Sequence, residues 1–232
     1  MEQEALKYLQ KDRLLHIDML EPLRLGEASI VYAGEDGVLI YHIPGRIYML
    51  SAASIASTEK LAGLMKDPTV ILLHQNYLKE ELKRRFSMTH TMQCHQAAWL
   101  KDEPVPASSS GVDLRLLTDK ELPIVLQHYK TVDGTEYVKE RLEAGMLGAF
   151  VDGELAGFIG THPEGSIGLL EVLPAYRRRG LAVRLETAMM IRQQSLGRVP
   201  YGQIKAGNEA SIALHIKLGM EVTPEASLCW LY

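Results

Sequence analysis

A predicted strand, a basic turn containing glycine and a helix follow one another between residues 170 and 182. The segment reads Leu-Glu-Val-Leu-Pro-Ala-Tyr-Arg-Arg-Arg-Gly-Leu-Ala, and an amphipathic helix begins directly after the glycine. The first N–H groups of a helix have no partner within it and carry the positive end of the helix dipole, so an anion such as pyrophosphate binds there through the backbone. Gly180 has no Cβ and Ala182 has only a small side chain, which lets the backbone approach the anion. The alternative interpretation is a solvated basic helix start.

The spacing of Arg177, Gly180 and Ala182 resembles the acyl-CoA-binding signature of the GNAT superfamily of N-acyltransferases, Gln/Arg-x-x-Gly-x-Gly/Ala. The preceding Val-Leu-Pro-Ala-Tyr at 172–176 is similar to the Val-x-Pro-x-Tyr that typically comes before it in the family. A later stretch, 208–220, resembles the second GNAT motif, Asn-x-x-Ser/Ala-x-x-Leu/Phe-Tyr-x-x-x-Gly-Phe. Its matching or conservative positions are Asn208, Ser211, Leu214, Gly219 and Met220.

The resemblance implies acetyl-CoA as the acyl-donor cosubstrate, with no metal. Backbone N–H groups of residues 178–183 would hold the pyrophosphate, and the pantetheine would lie along the strand ending at Val172, whose N–H would stabilise the oxyanion. Asn208 is a good helix N-cap, and the corresponding asparagine of the family also reaches the pantetheine. The predicted cofactor-binding residues are Val172, Arg177, Arg178, Arg179, Gly180, Leu181, Ala182, Val183 and Asn208.

His215 stands where many family members have a tyrosine that commonly protonates the CoA thiolate. A histidine can donate a proton near neutral pH, because its unperturbed pKa is about 6.5. The equally weighted alternative is that His215 fills the helix face beside Leu214 and Leu218, and that the thiolate takes its proton from water. His215 is therefore a candidate catalytic residue that departs from the family pattern.

The candidate general base is Glu171, in the strand just before the basic turn. A carboxylate there could take the proton of an incoming ammonium directly or through a water molecule. Side chains alternate along a strand, so the sequence leaves open whether Glu171 points to the acyl group or to the opposite face. His162 and Glu164, in the turn before that strand, are alternatives of lower rank.

Composition sets the broad class of the protein. With 232 residues, 47% hydrophobic and 23% charged, it has the composition of an ordinary globular protein. Its net charge of -4 does not indicate binding to nucleic acid. No apolar run approaches the length of a membrane span, and the N-terminus lacks signal-peptide features. Two cysteines are too few for a disulfide framework, and Cys94, His95 and His90 lack a second ligand pair at zinc spacing. We therefore expect a cytoplasmic protein without metal, membrane or nucleic-acid partners.

The clearest boundary is the stretch rich in proline and serine at 101–111, which is typical of a linker. It separates a smaller α/β domain at 1–100 from a catalytic GNAT domain at 112–232. The order β-α-α-β-β-β-α-β-α-β-β after the linker, with a first helix that starts at the cap Thr118 and reaches about Lys130, predicts a mixed, splayed α/β sheet with helices on both faces, as in the GNAT fold. The first half is predicted to have helices at 4–20, 57–66 and 78–86, strands at 70–73 and 91–100, and a hairpin at Asp36-Gly37. This layout resembles two-domain acyltransferases similar to glycine N-acyltransferase, whose N-terminal half is a degenerate GNAT domain.

The function indicated is an acyl-CoA-dependent N-acyltransferase that moves acetyl to a primary amine of a small molecule or amino acid. Attack would be direct, in a ternary complex, because no cysteine lies near the loop and Cys229 falls in the last predicted strand. The alternative is a catalytically silent CoA-binding regulatory module, which the departure at His215 and the uncertain base support. We expect a monomer or a homodimer.

Overall fold

A computed structural model describes residues 1–107, 111–129 and 134–232. The predicted helix end at Lys130 and part of the predicted linker lie outside the described residues. The strands are β1 Ala28–Gly34, β2 Gly37–His42, β3 Ile47–Ala52, β4 Val70–Leu73, β5 Thr91–Ala98, β6 Asp113–Leu116, β7 Leu147–Val151, β8 Glu154–Thr161, β9 Ile167–Val172, β10 Tyr201–Lys205, β11 Glu221–Val222 and β12 Leu228–Leu231. The helices are α1 Glu2–Leu9, α2 Ile17–Leu25, α3 Ile55–Ala62, α4 Lys79–Arg85, α5 Leu122–His128, α6 Thr135–Glu143, α7 Leu181–Ser195 and α8 Glu209–Lys217.

The chain forms two compact units. The first comprises Met1–Ala98, Gln203–His215 and Met220–Tyr232, and the second comprises Trp99–Gly202 and Ile216–Gly219. This division differs from the predicted domain limits, because two C-terminal segments group with the first 98 residues. The limits 1–100, 101–111 and 112–232 stay a prediction.

In the first unit the strands run in the order β1-β2-β3-β4-β12-β5, and β11 also pairs with β5. Only the pair β3 and β4 is parallel among these neighbours. Side chains alternate between the two faces, as a pleated sheet requires. Val38, Ile40 and Met49 pack on one face with residues of α1 and α2. Leu39 and Leu50 pack on the other face with residues of α3 and α4. Helices therefore cover both faces of this sheet.

In the second unit the order is β10-β9-β8-β7-β6, and only Tyr201 and Gly202 of β10 belong to this unit. Strands β6 to β9 are antiparallel neighbours, whereas β9 and β10 are parallel. Ile167, the first residue of β9, lies opposite Gly202 of β10. The later residues of β9 pair with β8 on one side and are not opposite β10 on the other. The sheet is therefore splayed between β9 and β10 beyond this point. Val125 of α5 and Val138 of α6 share a core with Phe158 on one face, and α7 lies against β8 and β9.

The structure confirms the predicted mixed α/β fold, and it corrects three details. The predicted helix 4–20 is interrupted, because the side chain of Asp12 accepts a hydrogen bond from the Leu15 N–H at 3.0 Å and competes with helix continuation. Helix α5 begins at Leu122 rather than Thr118, since Pro123 has no N–H and fits only the first turn. Strand β3 was not predicted: four of its residues, including Met49 and Leu50, form an uninterrupted buried run without the alternation of a half-exposed strand.

Glu186 is a carboxyl group in α7 whose burial affects stability. It is 2% exposed, and burial raises its pKa to about 7, compared with 4.5 for a free side chain. Its raised pKa means that the neutral form stabilises the fold below pH 4.5, and that this contribution is lost as the pH rises through about 7. We therefore expect Glu186→Gln to raise the free energy of unfolding at pH 8, by up to about 3 kcal/mol.

Urea unfolding at pH 8 and pH 5 tests this expectation, with the gain shrinking toward pH 5. The control is Glu143→Gln, because Glu143 lies exposed at the end of α6 and its neutralisation should change stability little at either pH. An equal gain from Glu186→Gln at both pH values would contradict the proposed cause.

Candidate functional site

The turn between β9 and α7 has a defined backbone. Residues Pro174–Tyr176 form one turn of 3-10 helix, and the Tyr176 N–H donates to the Leu173 carbonyl at 2.9 Å. Arg178 and Gly180 then adopt the left-handed conformation, with φ of 63° and 76°. No atom lies within 4 Å of the position that a Cβ would take on Gly180, so this point of the turn faces open space.

The N-terminus of α7 has no side-chain cap. The Arg184 N–H donates to the Gly180 carbonyl at 3.3 Å, so the N–H groups of Leu181, Ala182 and Val183 come before this helical bond. These are the groups that a helix leaves to external partners at its positive end. The strand, turn and helix predicted around this segment are thus confirmed, and their geometry suits an anion.

Arg177 holds the turn against β9. Its Nε donates to the Val172 carbonyl at 3.0 Å, and its NH2 group donates to Oε1 of Glu171 at 3.0 Å. The two side chains of this ion pair are 58% and 29% exposed. The structure therefore brings together Glu171, Val172 and Arg177, which the sequence predicted as separate members of the site.

A bulge interrupts β9 just before Glu171. Glu171 lies opposite Phe158 and Gly168 lies opposite Gly160, so residues 169 and 170 together face the single residue Ile159. Leu169 has a φ of 52°, the left-handed conformation found at many bulges. A bulge re-aims the strand locally, and this one lies on the strand whose pairing with β10 ends.

The N–H of Val172 points away from β8. The next residue, Leu173, donates its N–H to the Ala156 carbonyl of β8 at 2.9 Å, and successive N–H groups of a strand point in opposite directions. The Val172 N–H therefore points to the edge of β9 that faces away from β8. It is suitably placed to donate to an oxygen bound beside that edge.

The register settles which face carries Glu171. Residues directly opposite each other on paired strands share a face, so Glu171 lies on the face of Phe158, whose side chain packs with α5 and α6. Val172 lies opposite Gly157, where a Cβ would be 3.2 Å from Cδ1 of Leu185 in α7. Glu171 and α7 are therefore on opposite faces of β9.

The turn after β8 places His162 on a hydrogen-bonded support. Oη of Tyr137, in α6, is 2.5 Å from Nδ1 of His162. Burial lowers the pKa of His162, and burial also raises the pKa of Tyr137. Nearby, Oγ of Ser166 donates to Oε1 of the buried Glu164 at 2.5 Å. Tyr137 was not predicted from the sequence, because no motif marks it.

Asn208 and His215 belong to the first unit. Oδ1 of Asn208 accepts from the Ser211 N–H at 3.2 Å, which confirms it as the N-cap of α8. His215 is 5% exposed, and burial lowers its pKa. Its Nδ1 is 2.8 Å from the Ser211 carbonyl, which can only accept, so Nδ1 carries the proton of the neutral ring.

Within residues 1–107, 111–129 and 134–232, no three His, Cys, Asp or Glu side chains gather in a way that could hold a metal ion. None of the helices described there combines the length and the apolar character needed to cross a membrane.

Comparisons with known proteins bear on the fold. A family model described as FR47-like protein matches residues 145–231, which include the turn, α7 and α8. A putative GNAT acetyltransferase from Novosphingobium aromaticivorans is 20% identical, covering 95% of this chain and 96% of that one, with a TM-score of 0.55. The chain has the GNAT fold. A GCN5-related N-acetyltransferase from Kribbella flavida shares this fold at 16% identity, with 94% of each chain covered and a TM-score of 0.54.

A Drosophila protein of known structure is also similar to this chain in structure. It is 20% identical, with 84% of this chain and 73% of that chain covered, and a TM-score of 0.62. A search of curated proteins found no match. These likenesses show the fold alone, and identities of this size carry no activity or substrate from one protein to another.

Proposed function

We propose that the protein is an acyl-CoA-dependent N-acetyltransferase that moves acetyl from acetyl-CoA to a primary amine. The observation that carries the proposal is the uncapped, open N-terminus of α7, reached through the left-handed Gly180. Backbone N–H groups at 178–183 would bind the pyrophosphate, with Arg178 and Arg179 exposed beside them. The pantetheine would then lie along the edge of β9 that faces away from β8.

The chemistry proposed is direct attack of the amine on the thioester in a ternary complex. The Val172 N–H would donate to the developing oxyanion, since it points to that same edge. Glu171 would accept a proton from the ammonium, and Arg177 would keep its carboxylate in place. The nitrogen then forms the amide bond, the carbon–sulfur bond breaks, and the thiolate is protonated by His215 or by water.

The contacts of His215 limit when it can act as the donor. The proton of its neutral ring is used in the bond to Ser211, so donation from Nε2 requires the imidazolium. Burial lowers the pKa of His215 below 6.5, so the imidazolium is a minor species at neutral pH. If His215 acts, its contribution is therefore confined to the acidic side of the pH profile.

The test is to incubate the protein with acetyl-CoA and pooled amino acids, polyamines and small amines, and to follow release of the CoA thiol. We expect release that depends on one pool, and a loss of about 100-fold in Glu171→Gln at every pH. His215→Phe should lose about tenfold near pH 6 and little at pH 8, because only the imidazolium can donate. Equal loss at both pH values would contradict the donor role.

The second candidate function is a CoA-binding regulatory module without turnover. The use of the His215 proton in the α8 backbone favours it, because the family's usual proton donor is then missing at neutral pH. Tight binding of acetyl-CoA with no thiol release from any pool would support this module.

We further propose a cytoplasmic monomer or homodimer with the two-domain layout of proteins similar to glycine N-acyltransferase.

A further inference from the structure

A tyrosine–histidine pair lies beside β9, apart from the residues proposed to bind the acyl donor. Tyr137 and His162 are both half-buried, and their rings are tilted with centroids 6.3 Å apart. The imidazole lies over Gly168, where an added Cβ would collide with Nε2. The glycine therefore makes room for the ring, and Tyr137 holds it from the other side.

This pair lies on the same face of β9 as Glu171. Gly168 is opposite Gly160, where a Cβ would be 2.9 Å from Cγ of Met146, a member of the core shared with α5 and α6. Glu171 is on that face as well, three residues further along β9. His162 and Glu171 thus flank the bulge, at a separation of at most about 10 Å along the strand.

The protonation state of the pair follows from its surroundings. Burial lowers the pKa of His162, the Glu164 charge partly opposes this effect, and the Arg141 charge adds to it. The ring is therefore neutral at neutral pH and has one N–H. With that hydrogen on Nδ1, bonded to Oη of Tyr137, Nε2 presents a lone pair.

We propose that Nε2 of His162 accepts a hydrogen bond from the acceptor amine and holds it on the face of β9 that carries Glu171. Oη of Tyr137 would accept from Nδ1–H, and Gly168 leaves room for the ring above the strand. An ammonium has three hydrogens, so it can donate to Nε2 directly and, through a water molecule, to Glu171. The Glu164 charge acts on the ring more strongly than the Arg141 charge does, so the local balance of charge favours a cation. This inference rests on the proposed function, since it names the acceptor subsite of the same reaction.

The test is nitrogen-15 NMR of the histidine rings during an ethylammonium titration, with and without CoA. We expect the Nδ1–H tautomer at His162 at pH 7, and a saturable shift of its Nε2 signal. Tyr137→Phe should allow both tautomers of His162 and weaken its response to ethylammonium about tenfold, which is the effect of losing one well-placed hydrogen bond. Gly168→Ala should do the same by displacing the ring. His128→Gln, at the end of α5, is the matched control and should leave the titration unchanged.

The Nε2–H tautomer at His162, or an ethylammonium response that leaves His162 unshifted, would overturn the proposal. The two proposals can fail separately, because CoA binding is followed in the same samples. If the wild-type protein does not bind CoA, the transferase assignment is wrong. The ethylammonium titration still decides the amine subsite in that case. Once an acceptor is found, Tyr137→Phe should raise KM more than it lowers kcat, whereas a folding defect would lower the active fraction alone.

Discussion

A chain cut to residues 112–232 is expected not to fold into a stable protein, although the sequence makes it look like a complete GNAT domain. The reason is β12, which lies between β4 and β5 in the first unit. Trp230 is opposite Leu72 on one side and Met92 on the other. A cut chain therefore leaves both edges of its last strand unpaired.

Burial of the β12 side chains gives an energetic reason for the same expectation. Leu228 and Trp230 pack in the core that includes α1 and α2. Cys229 and Leu231 pack in the core on the other face. All four are at most 9% exposed. Full burial of a large apolar side chain contributes about 1.5–3 kcal/mol, so losing this strand's burial removes several kcal/mol. That is comparable with the whole stability of a typical domain, about 5–15 kcal/mol.

The measurement is thermal unfolding and the proton–nitrogen spectrum of residues 112–232 beside the full chain. We expect a broad, uncooperative transition and a poorly dispersed spectrum for the cut chain. Co-expressing residues 1–107 with residues 111–232 is the control, because it restores β4 and β5 as partners of β12. A cooperative transition and a dispersed spectrum from residues 112–232 alone would contradict the expectation.

The local features of the site were predictable from the sequence because each depends only on residues that are close together in the chain. The turn before α7 needs only a proline, a glycine and a helix start, and Asn208 needs only the residues that follow it. The bulge was not predictable, because a left-handed φ at Leu169 contradicts the preference of a leucine. The sequence also gave Glu171 and Arg177 separate roles, and the ion pair between them depends on how the turn folds back on β9.

Long-range pairing is the other limit of prediction from the sequence. The proline and serine stretch at 101–111 resembles a linker, and composition cannot show that β12 returns to pair with β4 and β5. The same holds for Tyr137, whose bond to His162 joins residues far apart in the chain. Features that depend on one element meeting another were therefore missed, although β4, β5 and β12 were each predicted as strands.

Gly180→Ala is expected to remove most of the affinity for acetyl-CoA while the fold persists. Gly180 has a φ of 76°, and no atom lies within 4 Å of its would-be Cβ. The substitution therefore meets no steric clash within the protein, and it adds about 1–2 kcal/mol of backbone strain. In the proposed complex, the new methyl group would stand where the pyrophosphate approaches the N–H groups of α7. Losing one or two charge-assisted hydrogen bonds should weaken binding about 10- to 100-fold.

Gly197, at the other end of α7, supplies the matched control. It also has a left-handed φ, of 70°, and no atom within 4 Å of a would-be Cβ. Gly197→Ala therefore carries the same strain without facing the proposed anion. Calorimetric titration of acetyl-CoA should show lost affinity in Gly180→Ala and near wild-type affinity in Gly197→Ala, with similar loss of thermal stability in both. Equal affinity for acetyl-CoA in the two variants would show that Gly180 is not part of the acyl-donor site. Both variants carry the same backbone strain, and only the position of the added methyl group differs.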